Sequence, residues 1–369
     1  MFSIRSYPRL SKHCLKQLFW AGALVIVASP SIAFTQNLPT PGSLSVYRDW
    51  IVGCDNIISC HATSLAPEDI AGNKSRTAAG GALISVKREP AKQSVAFVGI
   101  SLISGLEDGP SVIVTKLKVD DVILDLPFRY QKGVISLPPG TDDILIRKLL
   151  KGNILYLLDE KGETITSASL AGLGAALRHI DARQNRVGTQ SAAIAKGNKA
   201  FEGPAIVPAY PVIRVPDPTK AAPAQMTASD VEQARAFHKC RSIDQVVPIK
   251  YARLDKANTV AIIHALCGTG AYNSTVRVAI IDNSGRIRTP KFDTSGSRKK
   301  PDQFINGWWD ESKGLLGSYA KSRGIGDCGL VERYAWDGDR FRLAERMEMT
   351  ECRGSIEYIT TWRASTQRN

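Results

Sequence analysis

The sequence predicts a mainly β (α+β) protein built from two antiparallel-sheet modules. Short apolar and β-branched segments, separated by turn residues, run from residue 44 to residue 166 and begin again near residue 249. Six prolines between Gly203 and Pro223 separate the two stretches, in a segment with few residues able to build a core. Each module is expected to carry one or two helices, and the Pro-rich segment is expected to link the modules. The predicted boundaries are 1–33 for a signal peptide, 34–44 for an N-terminal extension, 45–190 for the first module, 191–226 for the linker and 227–369 for the second module.

The first module is predicted to be a sheet that one helix closes. Its strands are predicted at 50–53, 81–87, 94–103, 111–119, 122–126, 144–150 and 154–158. The pattern then changes, because Leu170, Leu173, Leu177 and Ile180 recur at helical spacing. Ser169 precedes them as an N-cap residue. The sequence therefore predicts a helix from Ser169 to Ile180 that covers one face of the sheet.

The second module is predicted to begin with a helix and to continue as strands. Ser229 and Glu232 have the spacing of a capping box, in which two side chains satisfy the first free N–H groups of a helix. Strands are predicted at 259–266, 275–282, 314–319 and 332–335. The turns Asp282–Gly285 and Asp337–Gly338 consist of residues that favour hairpins. These signals predict a second antiparallel sheet.

The first 33 residues have the form of a secretory signal peptide. They carry four basic residues and no acidic residue, then the apolar run Leu18–Val27, then Ser31 and Ala33 at positions −3 and −1 of a cleavage site. The apolar run is about ten residues long, whereas a membrane-spanning helix needs about 20. We therefore predict Sec export, cleavage after Ala33, and a product in the periplasm or beyond that does not span the membrane.

Net charge narrows the classes of partner. The formal charge is +13, and it falls to +9 when the four signal-peptide cations are removed. Such a protein can attract anionic polymers of the envelope, but the charge alone favours the simpler interpretation of a basic surface excess that serves solubility. Arg298–Lys300 is the one dense basic run, and nucleic-acid binding requires a larger basic stripe with aromatic residues. The predicted partner is an unknown envelope component or an anionic polymer, not a nucleic acid, and the sequence carries no signal of oligomeric state.

Six cysteines follow the signal peptide, and they fit an oxidising compartment. Six cysteines allow fifteen pairings, so the sequence alone leaves the connectivity open. Proximity along the chain favours three local disulfides that do not cross the linker. These predicted pairs are Cys54 with Cys60, Cys240 with Cys267, and Cys328 with Cys352.

A zinc site is the alternative for one of these pairs. His238, Cys240, His264 and Cys267 supply two imidazoles and two thiolates, which is the ligand set of a tetrahedral zinc site. Against this interpretation, one residue separates His238 from Cys240, which is tighter than usual, and exported thiols oxidise. The sequence therefore favours a disulfide and predicts no metal site.

The sequence contains no motif that defines a catalytic activity or a cofactor site. Gly324–Gly329 matches G-x-G-x-x-G, but it runs into a predicted strand, whereas a dinucleotide site opens a helix. Asp327 beside Cys328 could place an acid next to a nucleophilic thiol, but no histidine has a spacing that ties it to Cys328 as a base. No catalytic residue and no cofactor are predicted. An envelope hydrolase or thiol-dependent enzyme with an unrecognised site is the alternative.

The best candidate for a binding surface is the pair Trp308 and Trp309. Adjacent strand residues face opposite sides of a sheet, so one indole can lie outside as a platform for a sugar or a peptide. Aromatic residues also fill cores, which is the competing interpretation. Arg323 and Asp327 of the glycine-rich turn are further candidate binding residues. We expect an exposed, concave aromatic patch in the second module.

The chain resembles the bacterial envelope proteins of domain-of-unknown-function family 1176. The residues that carry the resemblance are Arg48–Asn56, Cys60–Ala62, Arg323–Gly329, Tyr334–Gly338, Cys352–Gly354 and Thr361–Arg363. That family has no established activity. The first module is also similar to invasion-associated locus B proteins, through Trp50, Cys54 and Cys60. Together these observations predict an exported, disulfide-stabilised protein, and they favour a non-catalytic binding or interaction protein of the cell envelope over an enzyme.

Overall fold

The structure is a computed structural model that describes residues 38–67, 81–102, 113–203, 207–217, 219–235, 247–264, 272–293 and 303–368. The predicted signal peptide lies outside the described residues, as do Arg298–Lys300 and the cysteines Cys240 and Cys267. The fold is mostly β with short helices, as the sequence predicts. In the described part of the chain, no helix combines the length and apolar character needed to cross a membrane.

Two antiparallel sheets form the first module. Strands β1-β2-β3-β4-β5-β9-β8 make one sheet and β11-β10-β6-β7 make the other. The two sheets share a core that includes Trp50, Ile84, Leu117 and Leu155. The strands are β1 (Leu44–Tyr47), β2 (Trp50–Cys54), β3 (Cys60–Ser64), β4 (Ala82–Arg88), β5 (Phe97–Leu102), β6 (Lys116–Val119), β7 (Val122–Ile123), β8 (Arg129–Gln131), β9 (Val134–Ser136), β10 (Ile154–Leu158) and β11 (Thr164–Ser169).

The strand predicted at 144–150 is wrong, because these residues belong to helix α1 (Asp142–Leu149). Leu145, Ile146 and Leu149 are buried at helical spacing and face the core. The carboxylate of Asp142 accepts a 2.8 Å hydrogen bond from the Val98 amide of β5. This contact fixes the helix against the sheet.

The closing helix is present, but it begins later than predicted. Helix α2 spans Leu173–Arg183, while Ser169 ends β11 and donates a 2.6 Å hydrogen bond from Oγ to Asp49. Gly172 occupies the N-cap with φ of +105°, and a Cβ there would lie 1.8 Å from the carbonyl oxygen of Tyr47. Only glycine fits so close an approach at positive φ, so tertiary contact sets the start of this helix.

Part of the predicted linker is an ordered strand. Within 191–226, β12 (Val212–Val215) pairs in parallel with the C-terminal strand β24 (Ser365–Arg368). Helix α3 (Ala228–Arg235) follows. Its capping box uses Thr227 and Asp230 instead of Ser229 and Glu232: the Asp230 amide donates to Thr227 Oγ1, and the Thr227 amide donates to the Asp230 carboxylate. The module boundaries themselves stay a prediction.

The second module packs two further sheets around one core. The first has the order β13-β14-β15-β16 with β18 on β15, and the second has the order β17-β22-β21-β20-β19 with β23 on β22. Val260, Ile280, Phe304, Leu316 and Phe341 lie in this core. The strands are β13 (Lys250–Arg253), β14 (Asn258–His264), β15 (Thr275–Asp282), β16 (Ile287–Arg288), β17 (Lys291–Phe292), β18 (Gln303–Ile305), β19 (Trp308–Asp310), β20 (Leu315–Lys321), β21 (Gly329–Trp336), β22 (Arg340–Met349) and β23 (Ile359–Arg363).

A small apolar cluster and one arginine connect the two modules. Ile51 and Leu65 of the first module pack with Met349 and Ile359 of the second. Arg353 donates to the backbone carbonyl oxygens of Arg48 and Ala66, at 2.8 and 2.7 Å, and pairs with Asp49. We call this set of contacts the Arg353 clamp. Residues 38–369 accordingly form one compact unit.

Candidate functional site

A cleft of about 480 Å³ opens in the second module. Its walls come from the inner face of the β12–β24 ribbon, from β13, and from the turn that joins β19 to β20. We call it the Trp309 cleft. The side chains that define it are Tyr251, Arg253, Trp309, Lys313, Trp336 and Arg368.

The aromatic residues of the Trp309 cleft differ in burial and in whether their polar atoms already have hydrogen-bond partners. Trp336 is buried, and its Nε1 donates a 2.7 Å hydrogen bond to Asp255. The Tyr251 hydroxyl accepts a hydrogen bond of 3.4 Å from the Met226 amide. Trp309 is half-buried and packs on the core, and its indole nitrogen has no hydrogen-bond partner among the described residues. Trp309 therefore offers an anchored ring and an available donor.

Asp255 accepts the hydrogen bond from Trp336 but is not itself among the residues that line the Trp309 cleft. Burial acts to raise the pKa of its carboxyl, but hydrogen bonds from Trp336, Asn258 and the amide of Ala257 outweigh it and lower the pKa below its usual value. The negative charge of the half-buried Asp255 is thus engaged by hydrogen-bond donors of the protein.

The cations of the Trp309 cleft lack acidic partners. Lys313 and Arg368 are exposed, and neither forms an ion pair with any residue that the structure describes. Arg253 donates from Nε to the Ala222 carbonyl oxygen and from Nη1 to Asn283, both at 2.9 Å. The one acid in the lining, Glu311, pairs with Lys250. The cleft therefore carries uncompensated positive charge.

The turn that carries Lys313 is held by an aspartate. Asp310 accepts hydrogen bonds from the Ser312 hydroxyl at 2.6 Å and from the Lys313 amide at 3.1 Å. The hydrogen bond from Ser312 is the main reason that the pKa of Asp310 lies below its usual value. Gly314 completes the turn with φ of +64°. Lys313 thus projects from a defined backbone position.

The predicted pair Trp308 and Trp309 divides between two environments. Only Trp309 lines the cleft. Trp308 pairs with Gly317 of β20, and its indole lies so close that a Cβ on Gly317 would be 2.3 Å from the ring. Trp308 therefore covers the sheet, while Trp309 is the residue available to a ligand.

Arg323 and Asp327 lie at the opposite end of β20 from the tryptophans. Asp327 is 2% exposed, pairs with Arg323, and accepts a 2.7 Å hydrogen bond from the Gly354 amide. The contact with Asp327 raises the pKa of Arg323. Tyr319 and Tyr358 both donate to the Gly326 carbonyl oxygen in the same turn, at 2.7 and 3.1 Å. Arg323 and Asp327 therefore stabilise the glycine-rich turn, and the structure does not bring them to the Trp309 cleft.

Two disulfides occur in the described chain. Cys54 and Cys60 face each other across β2 and β3, and Cys328 is bonded to Cys352 beside the Arg353 clamp. The predicted Cys240–Cys267 pair lies outside the described residues. Since Cys328 is in a disulfide, the arrangement that a thiol-dependent enzyme would need at Asp327 is not formed here.

The zinc alternative also falls largely outside the described residues. Of its four ligands only His264, at the end of β14, is described, and partial burial lowers its pKa. Within the described ranges, no group of three or more His, Cys, Asp or Glu residues could hold a metal ion.

Sequence reasoning missed most of the Trp309 cleft. Tyr251 and Arg253 alternate along β13 and share a face, which is a signal that the segment Lys250–Arg253 carries. Lys313 follows the two tryptophans by four residues, in a turn, so its closeness to Trp309 could also have been inferred from the sequence. Arg368 had no local signal, because its place depends on the pairing of β24 with β12.

Comparisons with known proteins cover nearly the whole described chain. The family model described as "Protein of unknown function (DUF1176)" matches residues 44–367. A protein of Escherichia coli (strain K12), named "Uncharacterized protein YpfG", is 26% identical over 340 residues, which cover 86% of this chain and 91% of that protein. No solved structure matches. The likeness of the first module to invasion-associated locus B proteins stays a prediction.

Proposed function

We propose, from the premise that the chain belongs to the DUF1176 family of proteins of unknown function, that it is a non-catalytic binding protein of the bacterial cell envelope. Its ligand site is the Trp309 cleft, and its ligand is an anionic envelope component. The observation that carries this proposal is the combination, in one concave site, of an anchored Trp309 with Lys313 and Arg368, which have no acidic partner among the described residues. Ligand sites are typically concave, with apolar walls and a few placed polar groups.

The lining of the Trp309 cleft supports binding over catalysis. Among the described lining residues there is no histidine and no cysteine, and the carboxylate of Glu311 is engaged by Lys250. General acid–base and nucleophilic catalysis need a reactive group and a base within hydrogen-bond reach. The groups present are better suited to hold an anion than to transfer a proton.

Two observations support an envelope location. The first 33 residues have the pattern of a Sec signal peptide, and the disulfides Cys54–Cys60 and Cys328–Cys352 suit an oxidising compartment. We expect the native chain, expressed in a Gram-negative host, to be recovered from the periplasm with Phe34 as its first residue. Mass analysis of the purified N-terminus measures this, and a retained leader in the cytoplasmic fraction would contradict it.

The ligand site is tested by reversing its charge. The cleft variant carries Lys313→Glu and Arg368→Glu, and the control carries Lys151→Glu and Lys161→Glu, which are exposed in the first module and change the net charge equally. Binding to lipopolysaccharide, polygalacturonate and polyglutamate is measured by calorimetry. We expect at least one polymer to bind, and the cleft variant to lose about tenfold or more in affinity while the control keeps most of it.

Two results would overturn the proposal. Equal losses in both variants would show that the overall charge attracts the polymers and that the cleft does not. A lack of binding to all three polymers would remove the anionic ligand altogether.

A further inference from the structure

We propose that the Trp309 cleft binds an acidic saccharide, with a sugar ring stacked on Trp309 and its carboxylate or phosphate held by Lys313, Arg368 and Arg253. This inference rests on the proposed function and narrows it from an anionic component to one chemical class. Four features of the described residues support it: the aromatic platform, the group of cations, the hydroxyls of the lining and the orientation of the β12–β24 ribbon.

The platform is the first feature. Trp309 packs against the core of the second module, so its ring is held in place before a ligand arrives. A rigid aromatic side chain loses little conformational entropy when it makes a contact. The apolar C–H face of a sugar ring can lie on such an indole, and Nε1, which no described residue engages, can donate to a ring hydroxyl.

The cations are the second feature. Arg253 is fixed by hydrogen bonds to Ala222 and Asn283 through Nε and Nη1, so Nη2 is the nitrogen left for a ligand among the described contacts. Lys313 projects from the turn that Asp310 holds. Charge-assisted hydrogen bonds to carboxylate or phosphate oxygens are stronger than neutral ones. These groups therefore fit one or two anionic substituents.

The polarity of the lining is the third feature. Hydroxyl groups of Thr219, Ser312 and Thr366 line the cleft beside the cations. The Ser312 hydroxyl donates to Asp310 and Thr219 Oγ1 accepts from the Ala221 amide, so each keeps only part of its hydrogen-bonding capacity for a ligand. A polyhydroxylated ligand can use that capacity and the Thr366 hydroxyl, whereas an acyl chain would leave it unused, which carries a free-energy cost. The cleft is thus better matched to a sugar than to a lipid tail.

The ribbon is the fourth feature, because its orientation brings polar side chains to the cleft. Ile213 pairs with Thr366, and Val215 pairs with Arg368, so these four side chains share one face. Ile213 is buried against the second module, which places Thr366 and Arg368 on the inner face toward the cleft. The ribbon therefore contributes a hydroxyl and a guanidinium to the cleft. Strands β13 and β19 also line the cleft and are the edge strands of their sheets, so hexaglutamate is the comparison probe for an extended peptide.

The experiment uses the mature, oxidised chain and defined small probes. The acidic saccharides are trigalacturonate, N-acetylmuramic acid and glucose 6-phosphate, and the comparison probes are the methyl ester of trigalacturonate, hexaglutamate and inorganic phosphate. Affinities are measured by calorimetry, and the indole N–H signals of the protein are followed by NMR, with the Trp309 signal assigned through Trp309→Phe. Trp308→Phe is the matched control, because Trp308 covers Gly317 outside the cleft.

We expect at least one acidic saccharide to bind and to shift the Trp309 indole signal. Trp309→Ala should bind that saccharide about tenfold more weakly than the native chain does. If trigalacturonate is the saccharide that binds, its methyl ester should bind about tenfold more weakly than the free acid. Trp308→Phe should leave the affinity for the saccharide within about twofold.

Three outcomes would overturn the saccharide assignment. If hexaglutamate binds better in the cleft, the ligand is a polypeptide, and the proposed binding function stands. If inorganic phosphate binds as tightly as the saccharides, the ring contributes nothing. If no saccharide binds while a polymer from the charge-reversal test does bind in the cleft, the class is wrong but the binding function stands; if neither set binds there, both proposals fail.

Discussion

At one end of β20, beside Leu315, the exposed cations Lys313 and Arg368 have no acidic partner among the described residues and lie near a half-buried tryptophan. At the other end, beyond Lys321, Arg323 pairs with the buried Asp327, and Arg353 pairs with Asp49. The same residue types are thus used in two ways. Where arginine is buried and paired, it holds the chain together, and where cations are exposed and unpaired around an aromatic ring, they are available to a ligand.

This difference separates charged side chains that stabilise the fold from charged side chains that are available to a ligand. A buried pair is costly to break, because removing one partner leaves the other desolvated and unsatisfied. An exposed cation is cheap to remove, since water replaces its interactions. Substitutions at the two ends of β20 should therefore affect different measurements: the free energy of unfolding at one end and affinity at the other.

The largest effect is expected from breaking the Arg353 clamp. Arg353→Ala removes the guanidinium that donates to the carbonyl oxygens of Arg48 and Ala66 and pairs with Asp49, so the Asp49 carboxylate keeps only the hydrogen bond from Ser169 among these contacts. We expect a loss of about 3 to 5 kcal/mol in the free energy of unfolding, measured by urea denaturation, with ligand affinity unchanged. Arg368→Ala, at the other end, should cost less than about 0.5 kcal/mol. A loss for Arg353→Ala as small as that for Arg368→Ala would contradict the clamp.

The next effect is expected from removing disulfides. The Cys328–Cys352 link spans 24 residues and the Cys54–Cys60 link spans 6. By loop entropy, replacing both cysteines with serine should cost about 3 kcal/mol for the longer link and about 2 kcal/mol for the shorter. Melting curves of the two double variants measure this. We expect each variant to destabilise its own module more, and equal destabilisation of both modules by either variant would argue against local action.

A pH effect is expected where the first module meets Glu357. His61 lies on β3 with its Nε2 3.5 Å from the Glu357 carboxylate, and burial, with help from Lys87 and Arg363, lowers its pKa to about 3. The pKa of His61 is lower in the folded state than in the unfolded state. The contribution of the neutral ring to the free energy of unfolding is therefore fully present above about pH 6.5 and is lost as the pH falls toward 3.

Glu357 attracts the protonated ring and moderates the loss, which we expect to reach at most about 2 kcal/mol between pH 7 and pH 5. His61→Gln should flatten the pH dependence of unfolding in this range. His179→Gln is the comparison variant: burial also lowers the pKa of His179, but its ring is only half-buried, so this substitution should flatten the slope less than His61→Gln does. An unchanged slope for His61→Gln would contradict the assignment.

Much of the strand pattern could be predicted from the sequence. Ile154–Leu158 and Thr275–Asp282 have the predicted bounds, because apolar alternation and turn residues mark them locally. Helix α1 was missed because Ile144–Leu150 is short and mostly apolar, with Arg147 and Lys148 inside it, and so short a segment does not clearly distinguish a strand from a helix. The start of α2 depends on the approach of Gly172 to Tyr47, which is a contact between distant parts of the chain.

The candidate site shows the same limit. Trp309 could be proposed from its local context, since neighbouring strand residues face opposite sides. The cations that make it a binding site come from β13, from a turn and from β24. Topology brings them together: β24 reaches the cleft by pairing with β12, from which it is separated by about 150 residues of sequence. Local pattern finds the individual residue, and long-range pairing decides which residues share a site.

The smallest effect should come from Glu311, the one acid of the Trp309 cleft. Its pair with Lys250 is exposed, so Glu311→Gln should change the free energy of unfolding by less than about 0.5 kcal/mol. The substitution frees the Lys250 amine and makes the cleft more positive, so affinity for the acidic ligand should rise by about two- to threefold.

The matched control is Glu202→Gln, because Glu202 forms a similarly exposed pair with Lys92 away from the cleft. This control should leave both the free energy of unfolding and the affinity unchanged. Calorimetry at two salt concentrations separates the local effect from the change in net charge, which the two variants share. A fall in affinity for Glu311→Gln would mean that the carboxylate itself accepts hydrogen bonds from the ligand, and Glu311 would then belong with the binding groups of the cleft instead of with the paired charges of the fold.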